Sequence, residues 1–345
     1  MKRLRIADCG LRIGAPATII LALALALLAA PLVVEAQPAG KVFSLGILSP
    51  HPAPRTPEEH AGYPPIRRQR ELGWIEGQNF KIERAHGEGR EDRLPQLAEE
   101  LVRRRVDVIW TTGPPAALAA ARATTTIPIV FWGVSFPVDL GLVSNLAHPG
   151  GNVTGVAYGT GPELLGKQLE FLRQIAPAAA RLAWITDPES LSPGMAASRA
   201  AVDAAARSLG FELARHAVGR SEDFDPLFAS LLASRTQAIG LLGNTITFRA
   251  RRRIVEFANQ NRLPSTFGMK EFVQVGGLVS YGPNLLETQR RSAEYVDKIL
   301  RGARPGDLPV EQPSKFELVI NQGTAKALGL AIPPSILMQA DQVIE

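Results

Sequence analysis

Cysteine is almost missing from this chain: Cys9 is the single one among 345 residues. A disulfide framework is therefore excluded, and so is a thiolate nucleophile anywhere beyond the N-terminal stretch. Aromatic side chains make up only 6% of the sequence. The five histidines, His51, His60, His86, His148 and His216, have no spacing that would set two on one helix face, so no zinc site is expected. No G-x-S-x-G elbow, Walker loop or G-x-G-x-x-G occurs. Neither sign of charge dominates. The formal +5 falls to about +3 without the four basic and two acidic residues of the first 36, too little for a nucleic-acid surface. Arginines gather at Arg67, Arg68 and Arg70 and again at Arg249, Arg251, Arg252 and Arg253, but inside helical patterns, as on solvated helix faces. The chain is read as a monomer without metal or cofactor.

No apolar run is long enough to span a bilayer comfortably. Residues 1–36 instead read as a secretory signal peptide: basic residues at Lys2, Arg3, Arg5 and Arg12, an apolar run from Thr18 to Ala30, and a cleavage-like Val34-Glu35-Ala36 before Gln37. An uncleaved anchor helix is the alternative. A lipid anchor is disfavoured because Cys9 precedes the apolar run. The remaining length suffices for two ordinary cores.

What the chain does contain is one stretch twice. Residues 89–113 align without a gap, at a constant offset of 130, with residues 219–243. Gly89/Gly219, Arg90/Arg220, Leu97/Leu227, Leu101/Leu231, Arg105/Arg235, Ile109/Ile239 and Gly113/Gly243 are identical. In each copy apolar residues at i, i+3, i+4, i+7 and i+8 (Leu94, Leu97, Ala98, Leu101, Val102; Phe224, Leu227, Phe228, Leu231, Leu232) precede a short apolar run ending in glycine. That pattern is an amphipathic helix feeding a buried strand and a turn.

Strand and helix signals alternate around both copies. Strands are expected at 41–49, 79–86, 127–133 and 153–157, and again at 181–186, 211–218 and around 263–267. Helices are expected at 66–72, 115–126, 139–147, 164–175, 195–209, 251–261 and 285–300. Such alternation implies an α/β fold: two Rossmann-like lobes with parallel sheets, joined by a multi-strand hinge. The expected division is 41–157 plus 282–303 for lobe 1, and 158–281 plus 304–345 for lobe 2.

Open α/β sheets bind ligands at the carboxyl ends of their strands. The polar residues there are Ser49, Thr111, Thr112 and Gly113 in the first half, and Asp187, Asn244 and Thr245 in the second. Hydroxyls, amides and helix N-termini suit a carboxylate, although each residue taken singly also reads as a helix cap. Phe136, Tyr158 and Tyr281 stand close to these ends and could stack on a flat ligand, as could Phe131, which reads equally as core. Gly150 to Gly155 precedes a strand and reads as a turn rather than a phosphate loop.

Several motifs follow one another in a familiar order: Ile47-Leu48-Ser49, Glu71-Leu72-Gly73-Trp74, Glu76-Gly77-Gln78-Asn79, Asp92-Arg93-Leu94-Pro95, Thr126-Ile127-Pro128-Ile129-Val130, Gly141-Leu142-Val143, His148-Pro149-Gly150-Gly151-Asn152-Val153-Thr154-Gly155, and Gly276-Gly277-Leu278 through Tyr281-Gly282. As a set they resemble the ABC-transporter substrate-binding proteins of the tryptophan/tyrosine-type family, over essentially all of the chain after the leader. The resemblance implies a periplasmic binding protein of the type I kind. Such a protein captures a small molecule between its lobes and delivers it to an ABC permease driven by a separate ATPase, and it has no catalytic activity. An aromatic amino acid or a related small carboxylate is the implied ligand class. The chain departs from the family pattern at Phe136-Pro137, where Asp-Pro is usual, at Pro114, where Thr or Ser is usual, and at Tyr63-Pro64-Pro65, which interrupts the expected first helix. These departures favour a less polar or purely anionic ligand. A secreted α/β enzyme and a ligand-sensing module for a membrane receptor stay open as alternatives.

Overall fold

The computed structural model describes residues 41–159 and 162–345. The leader expected over residues 1–36 lies outside the described residues. Five strands, β1 (Phe43–Ser49), β2 (Phe80–His86), β3 (Val108–Thr112), β4 (Ile129–Ser135) and β5 (Val153–Gly159), form a parallel sheet in the order β2-β1-β3-β4-β5. A second sheet holds β6 (Arg181–Thr186), β7 (Glu212–Ala217), β8 (Ala238–Leu241), β9 (Ser265–Phe267), β10 (Val279–Pro283), β11 (Phe316–Asn321) and β12 (Gln342–Ile344), in the order β12-β11-β10-β9-β8-β6-β7. The second sheet departs from the all-parallel expectation in one pairing, because β10 and β11 run antiparallel.

Covered on both faces, β3 and β8 are buried along their whole length. Side-chain alternation divides the first core in two. Ile109, Ile129, Phe131 and Val153 pack with the helices Leu94–Arg103 and Gly113–Ala123. Val108, Trp110, Val130 and Val156 pack on the other face with Tyr295, Val296, Ile299 and Leu300 of the helix Leu285–Leu300. The helix Pro162–Ile175 follows β5 directly and packs on the second sheet, while Leu285–Leu300 follows β10 and returns to the first. Pro305–Glu311 also lies with the first sheet, whereas the sequence division grouped it with the second lobe. Val310 enters the first core and Glu311 exchanges backbone hydrogen bonds with Gly155 and Ala157.

The internal repeat is structural. The 3₁₀ turns Glu91–Arg93 and Ser221–Asp223, the helices Leu94–Arg103 and Phe224–Ala233, and the strands β3 and β8 all begin 130 residues apart. Arg105 and Arg235, an identical pair, both adopt the left-handed conformation (φ 53° and 52°) that ends a helix. The helix expected over 139–147 does not form. Gly141 takes φ 72° and the Leu142 amide returns to the Pro137 carbonyl, so the segment becomes a chain of turns that sends Leu142 and Val143 into the first core.

Candidate functional site

The carboxyl ends of both sheets open on one cavity of about 390 Å³. From the first sheet come Ser49 at the end of β1, Thr112 and Gly113 at the end of β3, and Trp132, Gly133, Ser135 and Phe136 at the end of β4. From the second come Asp187 after β6, Asn244 and Thr245 after β8, and Met269 and Glu271 after β9. Tyr158 on β5 lines it where the chain leaves the first sheet. The two ends stand close together, because a β-carbon built on Gly113 would lie 3.8 Å from Thr245 Oγ1.

Of the ten residues expected from sequence, Ser49, Thr112, Gly113, Phe136, Tyr158, Asp187, Asn244 and Thr245 line this cavity. Thr111 and Tyr281 do not. Strand alternation turns Thr111 to the face opposite Thr112, where it is fully buried. Tyr281 stacks on Phe316 at 5.6 Å and meets Phe171 edge-on at 5.3 Å, so its ring belongs to the second core. Phe131 is core as well, with no surface exposed.

The polar groups at these turns differ in what they have left to offer. Thr112 is the N-cap of Gly113–Ala123 but makes no capping bond, and its buried Oγ1 reaches only the Tyr63 hydroxyl. Ser49 Oγ accepts from the His51 amide at 3.1 Å, which leaves its proton to donate. Asn244 Oδ1 is engaged in a capping box, accepting from the Thr247 amide at 2.8 Å and the Thr247 hydroxyl at 3.0 Å. Asp187 Oδ1 likewise accepts from the Ser190 amide at 2.7 Å and hydroxyl at 2.8 Å. The buried Tyr158 hydroxyl donates to the Gly268 carbonyl.

Aromatic side chains form much of the wall, and sequence reasoning missed most of them. Trp132 stacks parallel to Trp110 at 6.3 Å and donates Nε1 to Thr288 Oγ1 at 2.9 Å. Tyr63, set by the break at Pro64-Pro65 between the helices Pro57–Gly62 and Pro64–Glu71, packs edge-on to Trp110 at 5.9 Å. Trp184 leans over Gly240, where any β-carbon would stand 2.6 Å from its ring. Phe136 holds φ 54°, a strained value for a large residue, and its ring packs with Leu165, Leu169 and Trp184.

Burial biases several titratable groups of the site toward their neutral forms. Burial, together with Arg249 and His86 nearby, pulls the His51 imidazole down to about 4, and burial also lowers His86. Burial, with Glu189 and Asp187 beside it, pushes the Glu91 carboxyl up to about 7. Tyr63 is pushed up to about 12 by burial, offset in part by the Thr112 hydroxyl. Arg215 is paired with Asp203, and Arg199 donates to the carbonyls of Ser190 (3.0 Å) and Ser192 (2.5 Å). Among the described residues no group of three metal-ligating side chains occurs.

Glu271 also escaped the sequence reading, although it follows β9 as Asn244 follows β8. The rule about strand ends, applied to Phe267 through Glu271, would have found it.

Comparison with known proteins agrees with this architecture. A tyrosine-binding protein of Clostridioides difficile (strain R20291) is 25% identical over 268 residues, covering 77% of this chain and 75% of that protein. A conserved domain protein of Vibrio cholerae O1 biovar eltor superposes with a TM-score of 0.78 at 26% identity, covering 88% of this chain and 100% of that one. An ABC domain from Streptococcus pneumonia, solved in complex with L-Trp, gives 0.77 at 25% identity, covering 88% and 99%. The family model for ABC transporter substrate binding proteins matches residues 68–344, which take in both sheets and every strand end around the cavity except that of β1. With two α/β lobes meeting over one cavity and that match running through them, this chain belongs to the family of ABC transporter substrate binding proteins.

Proposed function

We propose that the cavity captures one small aromatic solute, an aromatic amino acid or a related aromatic acid or amine, and that the protein delivers it to an ABC permease with a separate ATPase. The observation that carries this reading is the wall made by Tyr63, Trp132, Phe136, Tyr158, Trp184 and Phe248 between the ends of the two sheets. Rings of this kind hold a flat ligand by offset or edge-on contact, with a few polar groups fixing its orientation. The similarity to a tyrosine-binding protein and to an L-Trp complex supports the same class. The reading includes export to the periplasm through a cleaved leader, function as a monomer without nucleic acid, and no catalysis. The lobes, divided near Ala157 and Gly282, close on the ligand about the hinge. A ligand at about 100 times its Kd adds about 2.7 kcal/mol of stability. A thermal-shift panel of aromatic amino acids, aromatic acids and aromatic amines should therefore raise Tm by several degrees for at least one compound. No rise with any compound, or turnover of a panel member, would overturn the reading.

A further inference from the structure

The cavity contains a carboxylate with no counter-charge. Glu271 lines it from the second sheet, and its Oε2 is buried without a hydrogen-bond donor among the described residues. Its neighbour Lys270 is paired elsewhere, at 2.8 Å from Glu317, and Tyr158, close to Glu271, donates its hydroxyl to Gly268. Among the described residues, none lining the cavity supplies the missing cation. Arg199 and Arg215 are both engaged by protein oxygens. The other acids of the site, Asp187, Glu189 and Glu91, add charge of the same sign or none.

Glu271 is half-buried as a residue, but a carboxylate oxygen shut off from water is costly unless something positive or donating meets it. The opposite pole of the site offers only neutral donors, the Ser49 and Thr112 hydroxyls and the Gly113 amide. We propose that Glu271 is the specificity-determining residue of this cavity, and that the ligand is an aromatic compound carrying a protonated amine, which Glu271 receives, while a carboxylate on the ligand is dispensable. This rests on the cavity being the solute site. It departs from the sequence expectation of a less polar or purely anionic ligand, which took account of the first-half turns and not of the acid supplied after β9.

The test uses tryptamine, L-tryptophan and indole-3-acetate as probes, titrated calorimetrically into wild-type protein, Glu271→Gln and Glu271→Asp. Wild type should bind tryptamine and L-tryptophan more tightly than indole-3-acetate. Glu271→Gln should lose about ten- to a hundredfold for the two amines, the range of one charge-assisted hydrogen bond. Its affinity for indole-3-acetate should hold or improve. Glu271→Asp, which keeps the charge, should recover part of the amine affinity, and the melting temperatures should show both variants folded. Tighter binding of indole-3-acetate than of tryptamine by wild type would overturn the proposal without any variant being needed. Unchanged amine affinity in Glu271→Gln would overturn it too. If aromatic acids alone bind, the cavity remains the solute site and only the role of Glu271 fails. If none of the three probes binds wild type, this proposal fails, and the thermal-shift panel decides the aromatic-solute reading separately.

Discussion

Thr112 and Asn244 stand on facing turns, yet their side chains have different obligations. The Asn244 oxygen closes a capping box, whereas the buried Thr112 hydroxyl caps nothing and meets only Tyr63. Asn244→Ala should therefore lower stability by about 1 kcal/mol, the usual worth of an N-cap, and change ligand affinity little. Thr112→Val removes a hydroxyl that caps no helix and touches only the Tyr63 phenol, so the unliganded melt should move little. Affinity for a ligand oxygen held there should fall by about tenfold. Calorimetry and denaturation on the two variants separate these roles, and the opposite pattern would exchange them. The turns themselves were legible because helix caps and strand-end ligand sites draw on the same residue types. That overlap is also why sequence could not tell cap from contact: what Asn244 does depends on Thr247 accepting the reciprocal bond. Tyr63 was invisible for another reason: a lone phenol carries no motif, and only the fold brings it to the cavity. Glu271 was within reach of the strand-end rule, which was not carried past Phe267.

At the scale of elements, the duplicated helix and strand were the most readable part of the chain, since a 3.6-residue period followed by a short apolar run has few other meanings. Periodicity failed over 139–147, where apolar spacing resembled a helix but Gly141 and the bond back to Pro137 chose turns. It also gave no warning that β11 would enter the second sheet antiparallel, because an apolar run has no direction. The repeat diverges where it matters for the site. Trp110 of the first copy corresponds to Gly240 of the second, and the space left at Gly240 is taken by the Trp184 ring. Gly240→Ala should push that indole out of place at about 1–3 kcal/mol, the cost of overpacking a filled core. Urea denaturation would measure the loss and tryptophan fluorescence the displacement. An unperturbed spectrum with normal stability would show that the ring is not confined there.

At the scale of the whole molecule, Glu91 from the first repeat copy meets Asp187 and Glu189 from the far sheet, with Arg122 acting on Glu189. Folding raises the Glu91 carboxyl from its ordinary 4.5 to about 7. The stability that its proton contributes is complete below about 4.5 and is lost as pH rises through about 7. His51, lowered from 6.5 to about 4, acts in the opposite sense between those values, so the informative quantity is the difference between wild type and variant. Glu91→Gln keeps this position neutral at every pH. Its melting temperature should decline less than that of wild type between pH 5 and 8, and parallel curves would show that no such proton is held.

The helix Leu285–Leu300 closes one face of a sheet whose strands end at Gly159. During synthesis, Trp110, Val130 and Val156 must therefore wait until residue 300 has been made, with the strands β6 to β10 emerging first. The lobe that begins the chain is finished after most of the other has appeared. A nascent chain of this kind presents a bare apolar sheet face for much of its elongation, the kind of surface that chaperones hold and that partly folded chains aggregate through.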